Sequence, residues 1–278
     1  MTDTKRVAAW YDQFAGQEHD RLGNCRLEFS ISWRVITQYL EQLWTGKSLH
    51  ILDLGGGTGR YALELAKLGH SVTLVDISDQ ELQIARKTAT EGQVELTAIV
   101  QADARAIRGN AAIFRENKYD LVLCQGPIYH LLEEDERRDV LSTCAATLKP
   151  GGVLVAAFVL RYAHLRDIAQ RDPTRLLMEY DSFYATYLAD GKYTRTPLVS
   201  SYHASTAEVK EVFESVPGLQ LERLMACEGF LGGGLASKIN QLTDDAYEKW
   251  VEVVLRFAED ECILGNADHL LAIARRTA

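Results

Sequence analysis

The chain has 278 residues and a formal charge of −9, a length that allows one large domain or two small ones. Hydrophobic residues make up 47% and charged residues 25%; this ordinary globular usage excludes collagen-like, low-complexity and disordered classes. No run approaches the ~20 apolar residues of a membrane helix, and the acidic balance speaks against a binder of phosphate backbones. The polar start Met1-Thr2-Asp3-Thr4-Lys5-Arg6 leads into no apolar stretch, so no signal peptide is read. Cys25, Cys124, Cys144, Cys227 and Cys262 are odd in number and lack C-x-x-C spacing. Neither a disulfide framework nor a zinc site is read from them, and a reducing, cytoplasmic compartment is expected.

Two helical patterns precede Lys47, one including Trp10, Tyr11 and Phe14, the other running from Phe29 to Leu43. Short apolar runs then alternate with helical patterns, which predicts βαβ units and a parallel sheet. Leu49 to Leu54 is the first strand and ends at a glycine cluster. A helix from about Arg60 to Leu68 follows, with Gly69 as its cap. Ser71 to Asp76 is the second strand, and Ser78 or Asp79 caps a helix running to about Thr90. Val94–Val100, Tyr119–Cys124 and Val153–Val159 read as three more strands, with a charged helix from Glu133 to Leu148 before the last. Gly218–Leu224 and His269–Ala274 read as the final two. Residues 160–204 and 229–266 fall outside this pattern. They are expected to cover the carboxyl ends of the strands, where ligands bind in open α/β sheets.

Asp53-Leu54-Gly55-Gly56-Gly57-Thr58-Gly59 is the most informative stretch. Glycines between a strand and a helix let the backbone approach a ligand without a Cβ in the way. Asp76 ends the next strand, where a carboxylate can accept from both hydroxyls of an adenosine ribose. The glycines read G-x-G-x-G, not the G-x-G-x-x-G of a pyrophosphate binder, and no P-loop is present. Asp53 would face a diphosphate badly and suits a ligand with an ammonium group.

On these residues the chain resembles the class I S-adenosylmethionine-dependent methyltransferases, with motif support over roughly residues 47–159. The resemblance implies a Rossmann-like, seven-stranded, mostly parallel sheet with helices on both faces and the last strand antiparallel, here with helical cap insertions. It implies S-adenosylmethionine as cofactor. Gly55, Gly57 and Gly59 would pass under its methionine part and Asp53 would orient it. Asp76 would hold the ribose, Ile77 would pack on the adenine, and Asp103-Ala104 would contact the adenine amino group. Gln125-Gly126-Pro127 takes the place beside the reactive methyl, and Leu148-Lys149-Pro150-Gly151-Gly152 resembles the turn into the fifth strand. Gly126-Pro127-Ile128-Tyr129-His130-Leu131 is similar to a segment of small-molecule members of the family. The Asn/Asp-Pro-Pro-Tyr signature of many amino-group methylating members is absent at 125–128, and residues 229–266 interrupt what is usually a tight final hairpin. By the same resemblance residues 1–46 are a helical lid on a core of 47–278. Tyr11 then reads either as a core residue or as a contact to the cofactor.

His130 lies where the methyl would be delivered, and an imidazole there suits general base work. Tyr129 beside it and His203, just before a helix, are further candidates, each with a purely structural alternative. Arg34 could pair with the cofactor carboxylate or lie on the surface. The aromatic and basic residues of 160–204, among them Arg161, Tyr162, His164, Tyr184 and Tyr187, either cap a flat substrate or form their own core. His130, His164 and His203 have irregular spacing and no H-x-x-x-H, so no metal is expected. The expected partner is a small molecule, with neither nucleic acid nor membrane. Three rivals remain open: a nicotinamide-dependent oxidoreductase, a methyltransferase-fold protein without turnover, and a macromolecule methyltransferase. The acceptor, the atom methylated and the oligomeric state are left open.

Overall fold

The computed structural model describes residues 3–194 and 199–277. Two long helices come first, α1 (Asp3–Asn24) and α2 (Arg26–Leu43). Next come β1 (His50–Leu54), α3 (Arg60–Lys67), β2 (Ser71–Asp76), α4 (Asp79–Glu91), β3 (Ala98–Gln101), β4 (Tyr119–Cys124), α5 (Glu134–Thr147) and β5 (Leu148–Leu160). The first insertion holds α6 (Arg161–Arg171), α7 (Thr174–Met178), α8 (Ala185–Asp190), β6 (Lys192–Tyr193) and β7 (Ser201–Ala204). Then come α9 (Thr206–Glu214), β8 (Leu219–Ala226), α10 (Ala236–Ile239), α11 (Asp244–Phe257), α12 (Glu261–Leu264) and β9 (His269–Arg276).

Seven strands run in the order β3-β2-β1-β4-β5-β9-β8, and β9 is antiparallel to both of its neighbours. The Rossmann-like sheet expected from the sequence is therefore present. β7 adds to it: Val159 and Leu160 of β5 pair in parallel with His203 and Ala204. Val159 also pairs with His269 of β9, so β7 lies on the opposite edge of β5, beyond the end of β4. Among the described residues no helix is long and apolar enough to cross a membrane.

The central strands are apolar on both faces because both are covered. Leu52, Leu54, Val122, Leu154 and Phe158 bury one face against Val140, Leu141 and Cys144 of α5 and Val209 and Phe213 of α9. Ile51, Leu121, Leu123, Val153 and Val155 bury the other against Val35, Ile36, Tyr39 and Leu40 of α2 and against Leu65, Leu82 and Ala85. The i, i+4 spacing of the α2 residues is what gives that helix one apolar stripe.

The third strand is shorter than expected. Val94 donates to Ala89 O and Gln93 adopts a positive φ of 52°, so this stretch is spent leaving α4 before β3 begins. The fifth strand is longer, because the Lys-Pro-Gly-Gly turn leads straight into the ladder from Leu148, which pairs with Tyr119.

Both insertions are helical, but no described residue of either lines the cavity at the carboxyl edge of the sheet. In the first, Ile168, Tyr184 and Tyr187 form a separate buried cluster with Leu165, Phe183 and Tyr193. In the second, Leu231, Ile239, Tyr247, Val251 and Val254 pack on Leu27 and Ile31 of α2. Phe183, Tyr184, Tyr187 and Tyr193 of 160–204 thus belong to that segment's own core, while Tyr162 and Tyr180 are exposed, and 229–266 buttresses α2. Cover over the cavity comes from α1, which supplies Thr4, Val7, Tyr11, Glu18 and Arg21.

Candidate cofactor and acceptor site

The cavity opens where β1 and β4, neighbours in the sheet, send their connections to opposite faces, the position at which open α/β sheets bind ligands. The glycine turn is its floor. Gly55 and Gly56 N–H both donate to Val75 O, at 2.7 and 3.2 Å, which ties the turn to the end of β2. Gly55 has φ +73°, and a Cβ there would stand 2.4 Å from Pro127 Cδ; one on Gly126 would stand 2.6 Å from Gly55 O. The two loops therefore pack backbone to backbone, which only glycine permits.

Of the ten residues singled out for the cofactor, nine line this one cavity: Tyr11, Asp53, Gly55, Gly57, Asp76, Ile77, Asp103, Ala104 and Gln125. Gly59 does not. It takes φ +80° at the start of α3, and a Cβ there would meet Leu74 at 3.2 Å and Ala85 at 3.4 Å. Its place is a close approach of helix to strand, so it is removed from the ligand-facing set.

Asp53 is 2% exposed, and its Oδ2 has no hydrogen-bond partner. Burial raises its carboxyl to about 7, against a backbone hydrogen bond from Ala62 that lowers it, and the Asp76 charge adds to the rise. Glu81 Oε1 and Gln125 Nε2 are likewise buried and unpartnered. Three orphaned polar atoms in the wall of one cavity fit a ligand that brings an ammonium group and hydroxyls. Asp76 accepts from Gly57 N–H at 2.8 Å and from Ser78 N–H at 2.9 Å, which fixes its carboxylate towards the turn. Asp103 caps the short turn at Ala104–Gly109 and pairs with Arg105 at 2.8 Å.

α1 is fastened over this floor. Asp12 Oδ1 accepts from Ser78 Oγ at 2.7 Å and from Gln80 N–H at 3.2 Å at the start of α4. At its middle, Tyr11 reaches His130 at 2.9 Å. His130 Nδ1 lies 3.2 Å from Ser200 O. A carbonyl can only accept, so Nδ1 carries the proton, and Nε2 accepts from the Tyr11 hydroxyl. Burial holds the His130 pKa below the usual range, so the ring is neutral. Tyr129 lines the same wall, and burial pushes its phenol well up.

His203 lies elsewhere. It is 8% exposed and absent from the cavity wall, held between the Tyr187 hydroxyl at 2.8 Å and Ser201 Oγ at 3.0 Å. Burial, with His164 and Arg161 nearby, lowers it to about 3. It is a hydrogen-bonded member of the insertion's core, which removes it as a candidate base. Arg34 pairs with Glu248 at the exposed face of α2 and α11, away from the cavity.

Sequence reasoning missed several charged residues in the wall: Glu18 and Arg21, paired at 2.6 Å, Glu28, Arg60, Glu81 and His269. Glu228 anchors His269: one oxygen takes Nδ1 at 2.7 Å, the other the backbone N–H groups of Asp268 and His269 at 3.0 and 2.9 Å. Burial pushes His269 down, but Glu28 and Glu228 outweigh it and raise the ring to about 10. The potential ligand atoms of Glu28, Glu228 and His269 lie within 4.8 Å of one another, and Glu228 and His269 form an ion pair within this group. No spacing in the sequence announces it, since the three residues come from α2, the loop after β8 and the start of β9.

Residues 51–152 match a family model described as a methyltransferase domain. That stretch is similar to a methyltransferase domain. Among similar curated proteins is the ubiquinone biosynthesis O-methyltransferase of Coxiella burnetii, 32% identical over 124 residues, which are 45% of this chain and 49% of that protein. Another is the tRNA 5-carboxymethoxyuridine methyltransferase of Escherichia coli, 31% identical over 136 residues, 48% of each protein. The chain thus spans about half the length of the curated relatives it matches. Among solved structures, the 1,6-didemethyltoxoflavin-N1-methyltransferase of Burkholderia thailandensis, with S-adenosylhomocysteine bound, superposes with a TM-score of 0.60 at 14% identity, over 99% of this chain and 88% of that one. At that identity the likeness is one of fold.

Proposed function

We propose that the chain transfers the methyl group of S-adenosylmethionine to a small-molecule acceptor, in a cavity that residues 1–46 close as a lid. The observation that carries this reading is the fastening of α1 across the glycine turn, through Asp12 to Ser78 and Tyr11 to His130. A cavity covered in this way admits a small acceptor more readily than a duplex or a folded protein. The net charge of −9 supports the same choice.

The cofactor supplies an activated methyl group on a sulfonium, and the protein's task is to bind, align and exclude water. In this reading Asp53 faces the ammonium group, Asp76 the ribose, Ile77 the adenine face, and Asp103 and Ala104 the adenine edge. Gly55 and Gly57 allow close approach, and Gln125 sits beside the methyl. Tyr129 and His130 stand at the acceptor end, where His130 Nε2 takes the acceptor's proton once the Tyr11 hydroxyl yields it. The five free thiols support a cytoplasmic setting.

The test is to incubate the protein with methyl-labelled S-adenosylmethionine and, separately, a small-metabolite extract and bulk tRNA. Label in the small-molecule fraction is the expected result. Label confined to tRNA would overturn the choice of acceptor, and failure to bind S-adenosylhomocysteine would overturn the whole assignment.

A further inference from the structure

Glu81 is the third residue of α4, 3% exposed, in the wall of the cavity. Its setting departs from what its sequence neighbours prescribe. In Ser-x-x-Glu at a helix start, the glutamate normally reaches back to the backbone N–H of the capping serine. Half of that exchange exists: Ser78 Oγ accepts from Glu81 N–H at 3.2 Å. The other half is blocked, because Ser78 N–H is already donated to Asp76 at 2.9 Å. The Glu81 carboxyl is turned instead into the cavity beneath Gly57, where a Cβ would stand 2.3 Å from Glu81 Oε2. Its Oε1 has no partner.

A buried polar oxygen left unpaired costs stability, and the other oxygen of this carboxyl, Oε2, lies beside Gly57, whose N–H is donated to Asp76. Two carboxyls converge there. Burial first, and then the Asp76 charge, raise Glu81 to about 8, and burial raises Asp76 as well. An ionised carboxyl can only accept, whereas a protonated one can both accept and donate. A vicinal diol offers the matching set of donors and acceptors.

We propose that Glu81 is a second ligand for the ribose of the bound cofactor, hydrogen-bonded to the hydroxyl facing Gly57 while Asp76 holds its neighbour. The inference rests on the reading of this cavity as an S-adenosylmethionine site and extends it to a residue on α4.

The test is a calorimetric titration of S-adenosylhomocysteine and of its 2′-deoxy and 3′-deoxy analogues into wild type, Glu81→Ala and Glu81→Gln. In Glu81→Ala the natural ligand should weaken by about tenfold, and one of the two deoxy analogues should lose nothing further. Glu81→Gln, which still accepts and donates, should stay within about threefold of wild type. Equal losses for all three ligands in Glu81→Ala would show a structural role and overturn the proposal, as would an unchanged affinity for the natural ligand. No binding to wild type would remove the parent assignment and this one with it.

Discussion

The Tyr11 hydroxyl donates to Nε2 of His130 across 2.9 Å, joining the first helix of the chain to the loop that leaves β4. Because Nδ1 is committed to Ser200 O, that bond occupies the lone pair a general base would use. The first helix and the proposed base His130 are therefore one hydrogen-bonded unit, and perturbing either side should be felt at the other.

Tyr11→Phe removes the bond while keeping the ring. Hydrogen exchange in residues 3–24 should become faster, and S-adenosylhomocysteine affinity should fall by about threefold to tenfold. His130→Ala should lower kcat much more than it weakens the cofactor. A kcat unchanged with the true acceptor would take His130 out of the mechanism.

Asp53 ties binding to pH. Its carboxyl titrates at about 7 in the fold and near 4 in an unfolded chain. The folded state holds a proton that the unfolded chain has released between those values, so this contribution to stability is fully present below about pH 4 and lost as pH rises through 7. Asp53→Asn should therefore stabilise the ligand-free protein at pH 8 by ~1–3 kcal/mol and lose that advantage towards pH 4. The same substitution should weaken the cofactor. Thermal unfolding scans across pH, with calorimetry beside them, check both halves.

Gly55→Ala places a Cβ 2.4 Å from Pro127 Cδ on a backbone at φ +73°. The expected cost is ~1–3 kcal/mol of stability, together with loss of cofactor binding as the two loops separate. Denaturant unfolding and a titration report the two effects independently.

His203→Ala should do the reverse of His130→Ala. It strips partners from Tyr187 and Ser201 and should cost ~1–3 kcal/mol, with cofactor affinity unchanged. A kcat lowered in a variant of unchanged stability would restore His203 as a catalytic candidate.

Much of this molecule is legible in one dimension, because its sheet is built from local units. Runs such as Ile51–Leu54 and Leu121–Cys124 are apolar on both faces, the glycine turn follows β1 directly, and Asp76 closes β2. Strand, turn and helix are set there by neighbours a few residues apart, so their order carries the fold and the proposed cofactor with it. Gly59 shows the limit of that logic. Its spacing matches the turn, but Leu74 and Ala85 on other elements decide that it packs instead of facing a ligand.

What the linear order could not hold is which distant groups meet. Glu81 draws no notice until Asp76 takes the Ser78 N–H that its carboxyl would otherwise have reached. His203 reads as a base until Tyr187 and Ser201 claim both of its nitrogens, and His269 draws no notice until Glu228 and Glu28 stand beside it. The sequence alone determined the sheet and the glycine turn and pointed to the proposed class of cofactor, since these rest on backbone geometry and short-range periodicity. Only the tertiary structure decided how the first helix is fastened, the direction in which each buried acid and base is shifted, and which side chains face the cavity. Burial and charge at those positions come from residues up to 241 positions away, as with Glu28 and His269, and no local pattern encodes a distance of that kind.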